Sequence, residues 1–471
     1  MNEAETRADP LCLQQLRLRD YRCFASLQID FHPRLTVLVA ANGAGKTSVL
    51  DAVAVALGTY VGAFSEGVGP TFSASDIRQT RVRDTAGLEM EYAPQGVWLE
   101  ARGTIPAAHA GGGAVTWQRA LSGPTKAKTT VKDAKVLTDY GKRMQEAVRT
   151  PGSAVTLPLL AYYGTGRLWQ QKKLTESKLT RTSRTIGYTD CLDPASSYKS
   201  FVAWFRYWNL NAKEGRLKAL EQGQPHVPTE FDGYIDAVAG AVNTCLAPSG
   251  WHDITFSFTQ DTLVAHHPQH GELAVELLSD GIRNMIGMVA DMAFRAVKLN
   301  PQLGVQAALQ TPGIVLIDEV DMHLHPEWQQ VVLQGLSRAF PLVQFIVTTH
   351  SPQVISTVAK ESVRLLGVDA DGRPLASMPL ADTYGVPSHA VLQRVMQVDP
   401  QPPVHELAAL KELTRLVDQG HGETPRATEL MTQLMDRLGS THEHVQRLQR
   451  SLERQRRLRA IAGGDAGSLP A

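Results

Sequence analysis

The sequence predicts an α/β fold built on a largely parallel sheet, and three observations predict it. Short apolar runs of strand length, LTVLVA (35–40), GIVLI (313–317) and VQFIVTT (343–349), are rich in β-branched residues and lack the polar alternation of a half-exposed strand. Helical stretches follow them: TSVLDAVAVALG, PEWQQVVLQGLSRAF and PQVISTVAKE. Strand alternating with helix at these lengths means βαβ crossovers and parallel pairing. Finally, a glycine-rich turn joins the first of these strands to its helix.

Taken in order, residues 13–41 read as strands (LQQLRLRDYRCF, LQIDF, LTVLVAA), and the helix after them is expected to end in a cap at Gly58. QGVWLEARGTI and AVTWQRAL read as two strands joined by PAAHAGGG. Residues 123–137 are polar and are expected to be mobile, and TLPLLAYYGTGRLW (156–169) is a strand running into a glycine turn. Residues 196–245 are expected to be mostly helical, with Phe201, Trp204, Phe205 and Trp208 at helical spacing for a core. DITFSFTQDTLVAHH and GELAVELLS read as strands joined by PQHG, and DGIRNMIGMVADMAFRAVKL as a long apolar helix. After residues 397–403 only helices are expected. Thr424-Pro425 begins one and Gly439 ends it, and Ser440 with Glu443 forms a capping box for the next.

Composition excludes little. The chain has 471 residues, 43% apolar and 20% charged, with 47 basic and 47 acidic side chains. Overall charge therefore argues neither for nor against an anionic partner. Four scattered cysteines, without CxxC spacing, favour reduced thiols over disulfides or a zinc ribbon. No run approaches the roughly 20 apolar residues of a membrane helix, and the polar N-terminus lacks a signal-peptide core, so a cytoplasmic protein is expected.

The turn Ala40-Ala41-Asn42-Gly43-Ala44-Gly45-Lys46-Thr47-Ser48 has the residues a phosphate cradle needs. Its glycines let backbone N–H groups wrap phosphate oxygens at a helix N-terminus. Lys46 would neutralise β- and γ-phosphate charge, and Thr47 would offer its hydroxyl to Mg²⁺. Alanine stands at position 40, where the usual pattern has glycine. It is harmless if the strand continues there, and costs about 1–2 kcal/mol if the position requires a positive φ. Asp318 and Glu319 end the apolar strand 313–317, about 270 residues later. Asp318 is the expected Mg²⁺ ligand and Glu319 the group that polarises attacking water. His350 ends the next strand and is expected near the γ-phosphate, because parallel strands share one ligand-binding rim. Ser279 and Gly281 open the long helix in LSDGIR and form a second anion site, whose simplest use is to cap ATP held by another copy.

These elements, in this order, resemble the ABC-type ATPases of the RecF and SMC group. LRDYRCF before the phosphate loop, LSDGIRN, IDE, MHLHP and TTHS match that group's opening, signature, Walker B with catalytic glutamate, D-loop and switch histidine. AYYGTGRLW, LSDGIRNMIGMVADMAFR, LIDEVDMHLHPEWQ and FIVTTHSPQVIS are similar to ATP-binding proteins that include ATPase subunits of Septu-type and retron-associated antiphage systems. The resemblance covers about residues 13–400. It implies a P-loop NTPase of ABC/RecF type with a mixed sheet, a helical insertion and C-terminal helices. The expected divisions are 1–170 and 251–400 for the two halves of the ATPase head, 171–250 for the insertion and 401–471 for the C-terminal helices. It further implies a head-to-head homodimer with ATP and Mg²⁺ at the interface, Arg22 among the nucleotide contacts, and a partner such as an HNH nuclease. About 230 residues separate Lys46 from Ser279, too few for the long heptad arms of SMC proteins. No C-terminal acidic constellation suggests a nuclease in this chain.

Two other features compete with blander readings. His323 with His325, and His266, His267 and His270, are spaced like metal ligands but lie in a D-loop position and a hairpin turn, which favours no metal. Two basic stretches make DNA a candidate partner: Lys172, Lys173, Lys178, Arg181 and Arg184, and the helix carrying Arg447, Arg450, Arg454, Arg456, Arg457 and Arg459. On that helix Val445, Leu448 and Leu452 also suit docking to a partner helix. Three functions follow. The leading one is an ATPase whose dimerisation controls an effector in antiphage defence. The others are a RecF-like repair ATPase acting on DNA and an ATP-sensing module with negligible turnover.

Overall fold

The apolar runs at 35–39, 313–317 and 343–349 stand side by side as hydrogen-bonded strands, and the first part of the chain is arranged around them. The computed structural model describes residues 10–84, 87–106, 113–125, 127–152, 155–166, 183–194, 199–225 and 227–464. Two compact units divide the chain, Met1–Met396 and Gln397–Ala471. The first begins with β1 (Cys12–Tyr21), β2 (Phe24–Asp30), β3 (Leu35–Val39), α1 (Lys46–Val61), β4 (Gln79–Asp84), β5 (Gly87–Tyr92), β6 (Val97–Ile105) and β7 (Gly113–Leu121). There follow α2 (Lys135–Arg149), β8 (Leu159–Tyr163), α3 (Lys199–Glu221), α4 (Glu230–Leu246), β9 (His252–Ser257), β10 (Thr262–His267), β11 (Gly271–Ala274) and α5 (Asp280–Leu299). It closes with α6 (Ala307–Gln310), β12 (Gly313–Ile317), α7 (Pro326–Gln329), α8 (Val332–Ala339), β13 (Val343–Thr349), α9 (Pro352–Ile355), β14 (Val363–Val368), β15 (Pro374–Ser377) and α10 (Ser388–Arg394).

The main sheet runs β15-β14-β3-β13-β12-β8. Every pairing is parallel except that of the edge strand β15. In register, Thr349 lies opposite Val39 and Val347 opposite Ile317, so the chain leaves β3, β12 and β13 along one rim. A second, antiparallel sheet runs β2-β1-β6-β7. Gln344 of β13 ties the two together: its side chain accepts from Leu13 N (2.9 Å) and donates to Leu13 O (2.7 Å) and His32 O (3.0 Å). This is a mixed α/β fold. Helix α1 is apolar almost all round, as a helix enclosed on every side must be. From β7, Trp117 and Arg119 donate to the carbonyls of Ala56 and Val55 in α1, each at 2.9 Å.

Several expectations change. Gly58 does not cap α1 but lies inside it, and the helix runs on to Val61. A Cβ at Gly58 would stand 2.7 Å from Pro70 O, so the glycine serves a close crossing of helix and loop. The polar segment after β7 is held: Thr129 Oγ1 accepts from Phe72 N, Thr130 O accepts from Arg119, and α2 begins at Lys135. The stretch DITFSFTQDTLVAHH folds as two strands, β9 and β10, with Asp261 at φ 51° in the turn between them. Helices read at 326–340 and 352–361 are shorter, as α7, α8 and α9. Phe201, Phe205 and Trp208 of α3 are fully buried, and Phe201 and Trp208 pack on Phe294 of α5.

The second unit contains α11 (Leu407–Asp418), α12 (Pro425–Leu438) and α13 (Glu443–Gly464). Its core is its own, with Leu410, Leu413, Val417, Leu430, Leu434, Val445 and Leu448 at its centre. The start of α12 is as expected, with Thr424 Oγ1 accepting from Ala427 N and Pro425 in first place. Gly439 ends it at φ 88°. Ser440 does not cap α13, because the turn continues through His442 N to Gly439 O and the helix starts at Glu443. Among the described residues, no helix is long and apolar enough to cross a membrane.

Candidate functional site

The loop between β3 and α1 takes its shape from two glycines. Gly43 (φ 77°) and Gly45 (φ 92°) adopt the left-handed conformation that side-chain-bearing residues avoid. A Cβ at Gly45 would also stand 2.4 Å from Phe24 Cζ and 2.7 Å from Cys23 Sγ. Ala40 is not among the positive-φ positions, so alanine there costs nothing. The loop is exposed over Ala41, Asn42, Gly43 and Thr47, partly covered at Ala44, Gly45 and Ser48, and buried at Lys46. Lys46 Nζ bends back to donate to Ala40 O (3.1 Å) and Ala41 O (3.4 Å). Burial lowers its pKa, while Asp318, Glu319 and Asp321 act in the opposite sense.

Asp318 sits one residue past β12, its amide donating to Tyr163 O at 2.8 Å. Its side chain is buried, with Oδ2 accepting from Thr47 Oγ1 (2.7 Å) and Oδ1 from Thr348 Oγ1 (2.6 Å). Thr348 Oγ1 also accepts from Glu319 N (2.7 Å), so one hydroxyl on β13 positions both carboxylate-bearing residues. Glu319 has φ 48°, a conformation that costs a non-glycine residue about 1–2 kcal/mol and persists because its neighbours enforce it. The segment beyond is tied to β13 as well, through Val320 N to Thr348 O and Thr349 Oγ1 to Asp321 Oδ1.

His350 follows β13 on the same rim and is partly exposed; among the described residues its ring makes no hydrogen bond. Beside it, Ser351 caps α9 and donates to Gln329 Oε1. Arg22 occupies the β1–β2 turn at φ 48°. Its Nε donates to Asp76 Oδ1 (2.8 Å), and its Nη1 donates to Asp51 Oδ2 and reaches Ser48 Oγ at 3.5 Å. Burial works against its charge, but Tyr21, Asp51 and Asp76 outweigh that and hold its pKa above the ordinary value.

Ser279 and Gly281 stand differently. Ser279 is exposed at the N-terminus of α5 and its side chain makes no capping bond. Gly281 is buried, and a Cβ there would lie 2.4 Å from His323 O. Gly281 therefore allows α5 to press against the segment after Glu319. Among the described residues, no hydrogen bond joins Ser279 to the Lys46 loop. So Lys46, Thr47, Asp318, Glu319 and Thr348 form one connected group, Arg22 joins it through Ser48, and Ser279 faces outward.

Sequence reasoning passed over Thr348, Asp51, Asp76 and Tyr163. Thr348 and Thr349 carried a signal, being polar residues inside a run buried on both faces. Of the histidines, His325 caps α7, His267 Nδ1 accepts from Gln269 N and His270 N, and both His267 and His270 pack on Trp251. No group of three or more metal-ligating side chains occurs among the described residues. In the first basic stretch, Lys172, Lys173, Lys178 and Arg181 lie outside the described residues. Arg184 is partly buried and its guanidinium is engaged within the chain, donating to Leu299 O, Val155 O and Asn300 Oδ1. On α13, Val445, Leu448 and Leu452 pack into the unit's own core rather than awaiting a partner helix.

Two family models match the chain: "AAA domain" over residues 15–224, and "AAA domain, putative AbiEii toxin, Type IV TA system" over residues 251–356. A retron Vc95 probable ATPase of Vibrio cholerae is 24% identical over 466 residues, spanning 89% of this chain and 86% of that protein. The Septu protein PtuA of Bacillus thuringiensis is 21% identical, spanning 88% of this chain and 91% of its own. A retron Ec83 probable ATPase of Escherichia coli is 34% identical over 183 residues, covering 39% of this chain and 32% of that protein. A glycine loop, a strand-end carboxylate and a threonine between them on one sheet rim accompany these matches, and the chain resembles P-loop ATPases that carry AAA domains.

Proposed function

We propose that the chain binds ATP with Mg²⁺, hydrolyses it in a head-to-head homodimer, and through that dimer controls a separate effector in antiphage defence. The hydrogen bond between Thr47 and Asp318 carries the reading of the site, because it joins the phosphate loop to the Walker B strand. Its donors are all oxygen, a hydroxyl and a carboxylate, which fits Mg²⁺. When bound, Mg²⁺ would neutralise charge developing on the β- and γ-phosphates.

The chain's own residues do the rest. Backbone amides of Asn42–Thr47 receive phosphate oxygens, with the positive end of α1 behind them. Lys46 exchanges the carbonyls of Ala40 and Ala41 for phosphate oxygens. Glu319, aimed by its left-handed backbone and the Thr348 hydroxyl, accepts a proton from the attacking water. His350 donates a hydrogen bond toward the γ-phosphate, and Arg22 reaches the loop through Ser48. Ser279 and Gly281 of the second copy close the site; the exposed, uncapped Ser279 supports this. The named systems of the relatives support a role beside a partner chain, for which an HNH-type nuclease is the expected kind.

Light scattering with ATP tests the reading. Glu319→Gln should abolish turnover and hold the protein as an ATP-bound dimer. Ser279→Arg should keep nucleotide binding and lose the dimer. A monomer with full turnover that is indifferent to Ser279→Arg sinks the proposal.

A further inference from the structure

We propose that the outer face of α13 is a contact surface for the phosphodiester backbone of a nucleic acid. Its core stripe fixes the rotation of this helix: Val445, Leu448 and Leu452 face α11 and α12, and Gln455 continues the same side by donating to Val417 O. Arg447, Arg450, Arg454 and Arg457 recur at spacings of three and four, which places them in one file on the opposite side. All four are exposed. They span about 15 Å of helix axis.

Several of the unit's carboxylates are engaged elsewhere. Glu423 takes Arg456 and Arg459, Glu412 and Glu429 take Arg426, and Glu406 takes Arg437. In the file itself, Arg447 meets only the His444 ring and Arg450 only the Gln446 carbonyl. Among the described residues none of the four makes an ion pair. Two exposed acidic residues neighbour the file on this helix, Glu443 one turn before Arg447 and Glu453 at its border, against four arginines within it.

What the face lacks decides between an acidic protein and a nucleic acid. A protein interface is anchored by buried aromatic or aliphatic side chains. Leu458 is the one large exposed apolar residue described on α13, and the helix has no aromatic. A linear row of guanidiniums without an apolar anchor matches phosphate contact, where charge supplies affinity and arginine's fork grips the oxygens. Having no aromatic to stack on bases, the face would bind without sequence preference.

Fluorescence anisotropy on the full chain tests this, with labelled duplex DNA and single-stranded RNA of equal length as separate arms. Four neutralised phosphates on a duplex give a log–log salt slope of about −3.6, roughly a 150-fold fall in affinity from about 50 to 200 mM salt. The quadruple variant R447Q/R450Q/R454Q/R457Q should flatten that slope and lose the affinity, with unchanged melting and unchanged ATP hydrolysis in the absence of nucleic acid. R456Q/R459Q should weaken binding far less, and Glu453→Gln should tighten it. A quadruple variant with wild-type affinity and slope overturns the proposal, as does competition by polyglutamate equal to that of DNA. Because the readout is binding without ATP, its failure is separate from failure of the ATPase reading.

Discussion

Removing the Thr348 hydroxyl takes a donor from Asp318 and an acceptor from the Glu319 amide in one step. Both groups would lose a hydrogen bond in a largely buried place, which costs about 1–3 kcal/mol. Thr348→Val should therefore lower stability by that amount in urea denaturation, and reduce single-turnover hydrolysis far more than ATP affinity. Thr348→Ser, which keeps the oxygen, should recover most of both; a T348V protein with wild-type stability and turnover would contradict the geometry. Lys46, Thr47, Asp318 and Glu319 were legible in the sequence because each belongs to a contiguous run whose spacing has a chemical reason. Thr348 was hidden because its importance lies across a strand pairing. Arg22 was expected near the nucleotide, but its partners Asp76 and Asp51 come from a turn and a helix that no local pattern links to it.

Helix α1 shows how a rule at one level yields to packing at the next. Propensity favours Ala over Gly inside a helix by about 1 kcal/mol, so Gly58→Ala would stabilise an isolated α1. In the protein, the new methyl would meet Pro70 O at 2.7 Å, and overpacking typically costs about 1–3 kcal/mol. Thermal unfolding should show G58A less stable than wild type; a raised melting temperature would mean the loop at Pro70 gives way freely. The same crossing explains why Gly58 misleads as a helix stop. Four strands of the main sheet, β3, β8, β12 and β13, were readable because burial leaves them largely apolar, whereas β14 and β15 are partly exposed and were not. β4 and β5 were not, since their sequences QTRVRD and GLEMEY lack the bounded apolar run on which the strand reading rests.

Across the whole molecule, the two units have separate apolar cores. Leu434 is fully buried in the smaller one, and truncating such a leucine costs about 2–5 kcal/mol. Calorimetry of Leu434→Ala should shift one of two transitions and leave ATP binding intact; a single transition that moves as a whole would show the units unfolding together. The change to helices near residue 400 was visible in composition, whereas the inward use of Val445, Leu448 and Leu452 needed the neighbouring helices to be seen. The order of the main sheet has a consequence for how the chain is made. Strand β3 is central, yet its flanking strands β13 and β14 begin some 300 residues later. At ordinary translation speed the ribosome needs roughly 15 s to a minute to supply them. During that interval the nascent Leu35–Val39 segment has two bare apolar edges and no sheet to join, which makes it a natural client for a holding chaperone.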